Sequence, residues 1–288
     1  MGKTLISRRQ FLRSSLIATA LAARGQLPLL AQERTTGSGI DAATGPYATK
    51  PIRDYLERFS PTDVPRAQRQ NYALRYDIVH WDAVSKKTRA LTNSVVGEVV
   101  VKRTVAGNQV TYEVRQRMRI GGTDNFIVAE IVCDPDRWNS LRRWKLRSYH
   151  TARDGQTNPL SVLTEEGWCK DGSIQVRGDN YRCRYTAQNP VLSQWTVPDF
   201  LMRCTSSPLN VCFDLLQDLS LFKPNQSLVY DGSTPVKLKN RRTVSLQVYA
   251  QIGQGILPIH YLLDSQGRVQ LVTSSILSWA LASVEKRS

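Results

Sequence analysis

Val95-Val96-Gly97-Glu98-Val99-Val100-Val101 and Val110-Thr111-Tyr112-Glu113-Val114 flank Ala106-Gly107-Asn108-Gln109, and this stretch decides the fold. β-branched and aromatic residues fit a pleated surface, and glycine with asparagine supplies the positive φ of a tight turn. The stretch therefore predicts two antiparallel strands. Upstream, Tyr72, Leu74, Tyr76 and Ile78 occupy alternate positions, the period of a strand with one buried face. Downstream, Phe126-Ile127-Val128-Ala129-Glu130-Ile131-Val132-Cys133 continues the meander.

Further hairpins follow. Residues 173–177 and 181–185 enclose Gly178-Asp179-Asn180, and residues 256–263 and 268–272 enclose Asp264-Ser265-Gln266-Gly267. About ten such strands with short turns predict a mainly β (α+β) fold, a large curved antiparallel sheet or half-barrel. One helix is expected within it. Ser206 or Ser207 can cap it, Pro208 suits its first turn, and Leu209, Cys212, Phe213, Leu216 and Leu219 form an i, i+3, i+4 stripe ending near Lys223-Pro224. That stripe predicts a helix packed on the concave face of the sheet.

The N-terminus reads differently. Ser7-Arg8-Arg9-Gln10-Phe11-Leu12-Arg13 precedes the modest apolar run Leu16–Ala23. It resembles the twin-arginine export signal, in which Arg8, Arg9, Phe11 and Leu12 occupy the defining positions. The apolar run is too short to span a bilayer, as in a removable leader. Ala20-Leu21-Ala22 fits a cleavage pattern but falls inside the apolar run, whereas Leu29-Leu30-Ala31 is better placed. The expected organisation is a leader over residues 1–31, a flexible tether with a short helix at 51–59 over residues 32–70, and one β-rich domain over residues 71–288. The resemblance implies passage through the twin-arginine translocase in a folded state, and a periplasmic or otherwise exported location.

The net charge of +15 includes Lys3, Arg8, Arg9, Arg13 and Arg24 of the leader, so about +10 remains on the mature chain. That balance favours an anionic envelope surface or lipid as partner, and the compartment argues against nucleic acid. The densest basic and aromatic segment is Arg137–Arg147, in which Trp138, Arg143, Trp144 and Arg147 are candidate ligand-binding residues. The plainer reading of the same segment is a strand with one wet face, because Trp144 and Leu146 alternate with Arg143, Lys145 and Arg147.

Chemistry-bearing residues are sparse. His80, His150 and His260 lie on or beside predicted strands without a nucleophile elbow or a metal-binding helix around them. No cofactor motif stands out, and Gly253-Gln254-Gly255 reads as a strand bulge or bend instead of a phosphate loop. Cys169 with Cys183 and Cys204 with Cys212 are the expected disulfides in an oxidising compartment, leaving Cys133 free; the alternative is five unpaired thiols.

Val236 to Val272, with Tyr249-x-x-Ile252-Gly253-x-Gly255-Ile256-x-Pro258 and Tyr261-x-x-Asp264-x-x-Gly267-Arg268, resembles the C-terminal part of exported bacterial proteins in which an antiparallel sheet curls around a helix. The half-barrel of periplasmic lipoprotein carriers is a more distant likeness. The resemblance implies a fold and no activity. The functional expectation is a non-enzymatic envelope protein binding an apolar or amphipathic ligand; an exported hydrolase or redox enzyme, and a structural or partner-binding module, are the alternatives.

Overall fold

The computed structural model describes residues 71–81, 93–120, 122–152, 155–204, 209–237, 243–274 and 277–287. The expected leader, its Arg8, Arg9, Phe11 and Leu12, the tether and the helix at 51–59 lie outside the described residues.

Eight strands come first: β1 (Asn71–Trp81), β2 (Asn93–Ala106), β3 (Gln109–Ile120), β4 (Thr123–Cys133), β5 (Leu141–Thr151), β6 (Leu163–Lys170), β7 (Ser173–Gly178) and β8 (Tyr181–Thr186). The two-residue strand β9 (Val191–Leu192) leads to the helix α1 (Val197–Cys204). Then follow β10 (Asn210–Gln217), β11 (Leu221–Lys237), β12 (Thr243–Ile252), β13 (Ile259–Leu263), β14 (Val269–Ser274) and β15 (Leu277–Arg287). They form one 15-stranded sheet in the order β8-β7-β6-β5-β4-β3-β2-β1-β15-β14-β13-β12-β11-β10-β9. Every pairing is antiparallel except β9 with β10. Among the described residues no helix is long and apolar enough to cross a membrane.

This order forces curvature. Laid flat, fifteen strands would span about 65–70 Å at the usual strand spacing. Yet β8 and β9 stand at opposite ends of the sheet, joined only by residues 187–190, which reach at most ~18 Å. The sheet must curl until its ends approach. They meet through side chains: the Tyr185 and Phe222 rings stack 5.2 Å apart, and the Tyr185 hydroxyl donates to the Ser220 carbonyl at 3.1 Å. Asp214 fastens the crossing, accepting from the backbone N–H groups of Gln188 (2.9 Å), Asn189 (3.1 Å) and Asn225 (2.8 Å).

Inside the curl lies one apolar cluster. Tyr72, Leu74, Tyr76 and Ile78 of β1 all belong to it, as the alternation at the start of the domain predicts. The Ala106–Gln109 turn also closes as expected, although of its two central residues only Gly107 (φ 55°) takes the left-handed conformation. Phe200, Leu201, Val197 and the adjoining Trp195 fill the centre of the cluster. Burying each such side chain contributes roughly 1.5–3 kcal/mol, which is what holds a short helix against the sheet.

The position of that helix corrects the sequence reading. Of the stretch expected to be helical, residues 210–217 form strand β10 and Pro224 lies within β11. The pairing of β10 with β11 shifts between Phe213 and Leu215. The extra residue lies on β11, three steps there matching two on β10, and residues 213–216 of β10 are all buried, so the run holds the three-residue spacing of a helical stripe with no alternation to contradict it. The real helix starts one element earlier. The Val197 N–H donates to the Ser193 carbonyl (3.1 Å) and Phe200 N–H to Thr196 (3.0 Å); Pro198 and Asp199 sit in the first turn, where a missing N–H and a negative charge are both tolerated.

Candidate functional site

Two arrangements of polar side chains stand out, one on each face of the first half of the sheet. On the inner face, Tyr72, Arg103 and Tyr112 lie side by side across β1, β2 and β3. Asp199 of α1 comes down onto them. The Tyr112 hydroxyl donates to Asp199 Oδ2 at 2.6 Å, and Arg203 Nε donates to the same oxygen at 2.7 Å. Arg103 Nε stands 3.4 Å from Asp199 Oδ1, and the Asn139 amide lies 2.7 Å from the Tyr112 hydroxyl.

Arg103 and Asp199 are each only 1% exposed. Burial pushes the Tyr112 phenol up to about 12, so it remains a donor to the carboxylate. Burial likewise raises the neighbouring Cys133 thiol, keeping it uncharged. Charges so deeply buried need partners, and these have found one another. The cluster clamps α1 to β2 and β3.

The outer face is different. Burial in β5 alternates, with Leu141, Trp144 and Leu146 inward and Arg143, Lys145 and Arg147 outward. Of the predicted ligand-binding residues, Arg143 and Arg147 are therefore on the wet face. Trp144 is not: it is 2% exposed, and its ring lies across Gly167, where an added Cβ would come within 2.3 Å of it. Trp138 stacks on Phe200 of the helix at 4.6 Å and 6° from parallel. The two tryptophans thus pack in or against the core, while Arg143 and Arg147 stand on the wet face.

The aromatic residue that does stand among the outward cations is Trp168, at 41% exposure. The strand register places it opposite Arg143 on one side and Gln175 on the other, with Arg184 next in the row. The adjacent row runs Glu130, Lys145, Glu166, Arg177, Arg182. A shallow groove of about 380 Å3 follows this surface; Arg143, Lys145, Glu166 and Trp168 line it together with an edge of the largely buried Trp144. Farther along β5 the Tyr149 ring stacks on Phe126 (5.0 Å, 12°), and the guanidinium groups of Arg147 and Arg117 lie over the two rings at 5.1 and 5.9 Å. A second groove, about 390 Å3, lies on the same face over Arg75, Val100, Lys102 and Arg115.

Sequence reading missed Trp168 because β6 hides its period. Its inward positions Glu165, Gly167 and Cys169 are no more apolar than its outward Thr164, Glu166 and Trp168. Glu165 can turn inward because the Tyr181 hydroxyl donates to it. The signal available was a tryptophan whose cationic neighbours lie on other strands, Arg143 and Lys145 on adjacent β5 and Arg184 on β8, and it needs the register to be seen.

The remaining candidates are dispersed. His80, His150 and His260 sit on β1, β5 and β13. All five thiols are free, so the expected pairs are not formed. Cys169 and Cys183 face the core from β6 and β8 with β7 running between them and a two-residue offset along the strands, about 11–12 Å apart at ordinary strand dimensions and beyond disulfide reach. Cys204 ends α1, and Cys212 points outward from β10 toward Ser227 at 3.7 Å. Gly253 is explained by packing: a Cβ there would come within 2.6 Å of the Gln226 amide, which instead donates to the carbonyls of Pro224 (2.8 Å) and Gln254 (3.2 Å).

Among the described residues no cluster of His, Cys, Asp or Glu side chains forms a metal site. No family model, curated protein or solved structure matches this chain.

Proposed function

We propose that this chain is an exported, non-enzymatic envelope protein that docks on an anionic phospholipid surface through the outer face of β5–β8. The observation that carries the reading is Trp168, exposed at 41% among Arg143, Lys145, Arg177, Arg182 and Arg184, with Glu166 the one carboxylate between them. Indole rings favour the headgroup layer because one part is apolar and the N–H is polar. Each cation near an anionic leaflet adds about 1 kcal/mol of attraction. The concave face is filled by α1 and Trp195, which favours a surface mode over an enclosed apolar ligand. Export by the twin-arginine route rests on Arg8, Arg9, Phe11 and Leu12, and would place this face beside membrane leaflets.

The test is co-sedimentation of the purified protein with vesicles of phosphatidylglycerol or of phosphatidylcholine. Binding is expected to the anionic vesicles alone and to weaken with salt. Replacing Arg143, Arg177, Arg182 and Arg184 together by Gln is expected to lower the partition coefficient about a hundredfold or more. Equal binding to both lipids, or no binding to either, would defeat the reading.

A further inference from the structure

The connection between β5 and β6 carries a leucine in an unusual setting. Leu160 is 82% exposed, at the centre of a 3-10 turn over Pro159–Ser161. Single exposed leucines are common on protein surfaces and ordinarily need no explanation. Leu160 differs in how firmly its backbone is held.

Its own N–H donates to Asn158 Oδ1 at 3.0 Å. Ser161 N–H donates to the Asn158 carbonyl at 2.9 Å, and the Ser161 hydroxyl donates to the same carbonyl at 2.7 Å. The turn is then tied to β5: His150 N–H donates to Ser161 Oγ at 2.9 Å, and Asn158 N–H to the His150 carbonyl at 3.1 Å. Pro159 fixes one more backbone angle. The side chain at the tip of this knot reaches into solvent. An apolar group presented on a pre-ordered support binds without the entropic cost of ordering a loop.

The tip lies beyond the end of the basic and aromatic face. β5 runs from Arg143 through Arg147 and Tyr149 to Thr151, and the turn follows before β6 returns at Leu163. Arg143, Lys145, Arg147 and Tyr149 thus lie along the same hairpin that ends in Leu160, with Phe126 and Arg117 on the neighbouring strands β4 and β3. We infer that Leu160 is a membrane-insertion residue, which enters the acyl region of an anionic bilayer while the Arg147 and Arg117 region meets the headgroups. The inference rests on the lipid-docking reading and adds to it an apolar component that salt does not screen.

Two variants test it, Leu160→Ala and Leu160→Glu, in the full protein with phosphatidylglycerol vesicles. Leu160→Ala is expected to lower the partition coefficient ~tenfold, Leu160→Glu by more, with both keeping the thermal midpoint of the parent because the side chain touches little of the fold. At high salt the parent is expected to retain a residue of binding that Leu160→Glu lacks. If Leu160→Glu binds as the parent does while the four-arginine variant fails, the insertion role is overturned and lipid docking stands. If the parent ignores anionic vesicles, the docking reading itself has failed. Self-association of the parent in sedimentation velocity without lipid, abolished by Leu160→Glu, would assign the leucine to a contact between copies and overturn the inference.

Discussion

The two halves of the sheet solve the same problem in opposite ways. From β1 to β8 the outer face is largely wet and charged, with Lys102 against Glu113 at 2.5 Å and Arg117 against Asp124 at 2.8 Å. From β12 to β14 buried side chains lie on both faces. Tyr249, Tyr261, Leu263 and Val269 face the central core, and Val248, Leu262, Leu271 and Ala280 form a second apolar cluster on the opposite side. The wet half keeps most of its polar residues outside, apart from the clamp on α1 and Glu165, which the Tyr181 hydroxyl meets. The buried half must pair its polar residues internally. Asp264 accepts from Arg268 Nε at 2.5 Å and Gln270 Nε2 at 2.7 Å, and the Tyr261 hydroxyl donates to Gln251 at 2.8 Å.

Substitutions can break this contrast in graded steps. The largest effect is expected at the clamp. Asp199→Ala removes the carboxylate that two buried guanidinium groups face, and should cost about 3–5 kcal/mol in urea denaturation. A loss below ~1 kcal/mol would mean that α1 is held by its apolar side chains alone. Asp214→Ala comes next. It leaves the backbone N–H groups of Gln188 and Asn189 in the β8–β9 crossing, and that of Asn225 in β11, without their acceptor, at a cost of roughly 3 kcal/mol. An unchanged denaturation midpoint would show that the sheet ends do not depend on this knot.

Gly253→Ala probes the buried half more gently. The added methyl meets the Gln226 amide, and about 1–3 kcal/mol of destabilisation is expected, read from the same denaturation curves. The smallest effect belongs to the wet face. Hydrogen bonds from Arg119 and Arg117 hold the Asp124 carboxyl at about 2, below its ordinary value. Because the folded value is depressed, this contribution is present above the ordinary carboxylate range near ~4 and disappears as pH falls through it toward 2. The stability gap between parent and Asp124→Asn should therefore shrink over that window. A gap that widened on acidification would contradict the pairing.

Legibility in the sequence follows the same division. β1 to β4 could be read directly because period two survives where one face is wet and the turns are tight, as at Gly107. In β10, residues 213–216 are all buried, so the alternation is lost and a helical spacing can be read into the run. In β14, Val269, Gln270 and Leu271 are all buried, so no alternation remains to be read. The helix itself spans only eight residues, little more than two turns, and offered no sustained stripe. For the candidate site, the outward placement of Arg143 and Arg147 was legible from alternation with Trp144 and Leu146. Trp168 was not, because its neighbours in the site are cross-strand partners on β5, β7 and β8 that only the register brings together.

The central claim is that the wet face of β5–β8 is the working surface. Hydroxyl-radical footprinting of the protein with and without phosphatidylglycerol vesicles reads this most directly, side chain by side chain. The account predicts lipid-dependent protection of Trp168 and Leu160, with Trp138, Trp144 and Trp195 unchanged. Protection that left Trp168 as reactive as in free solution would contradict it.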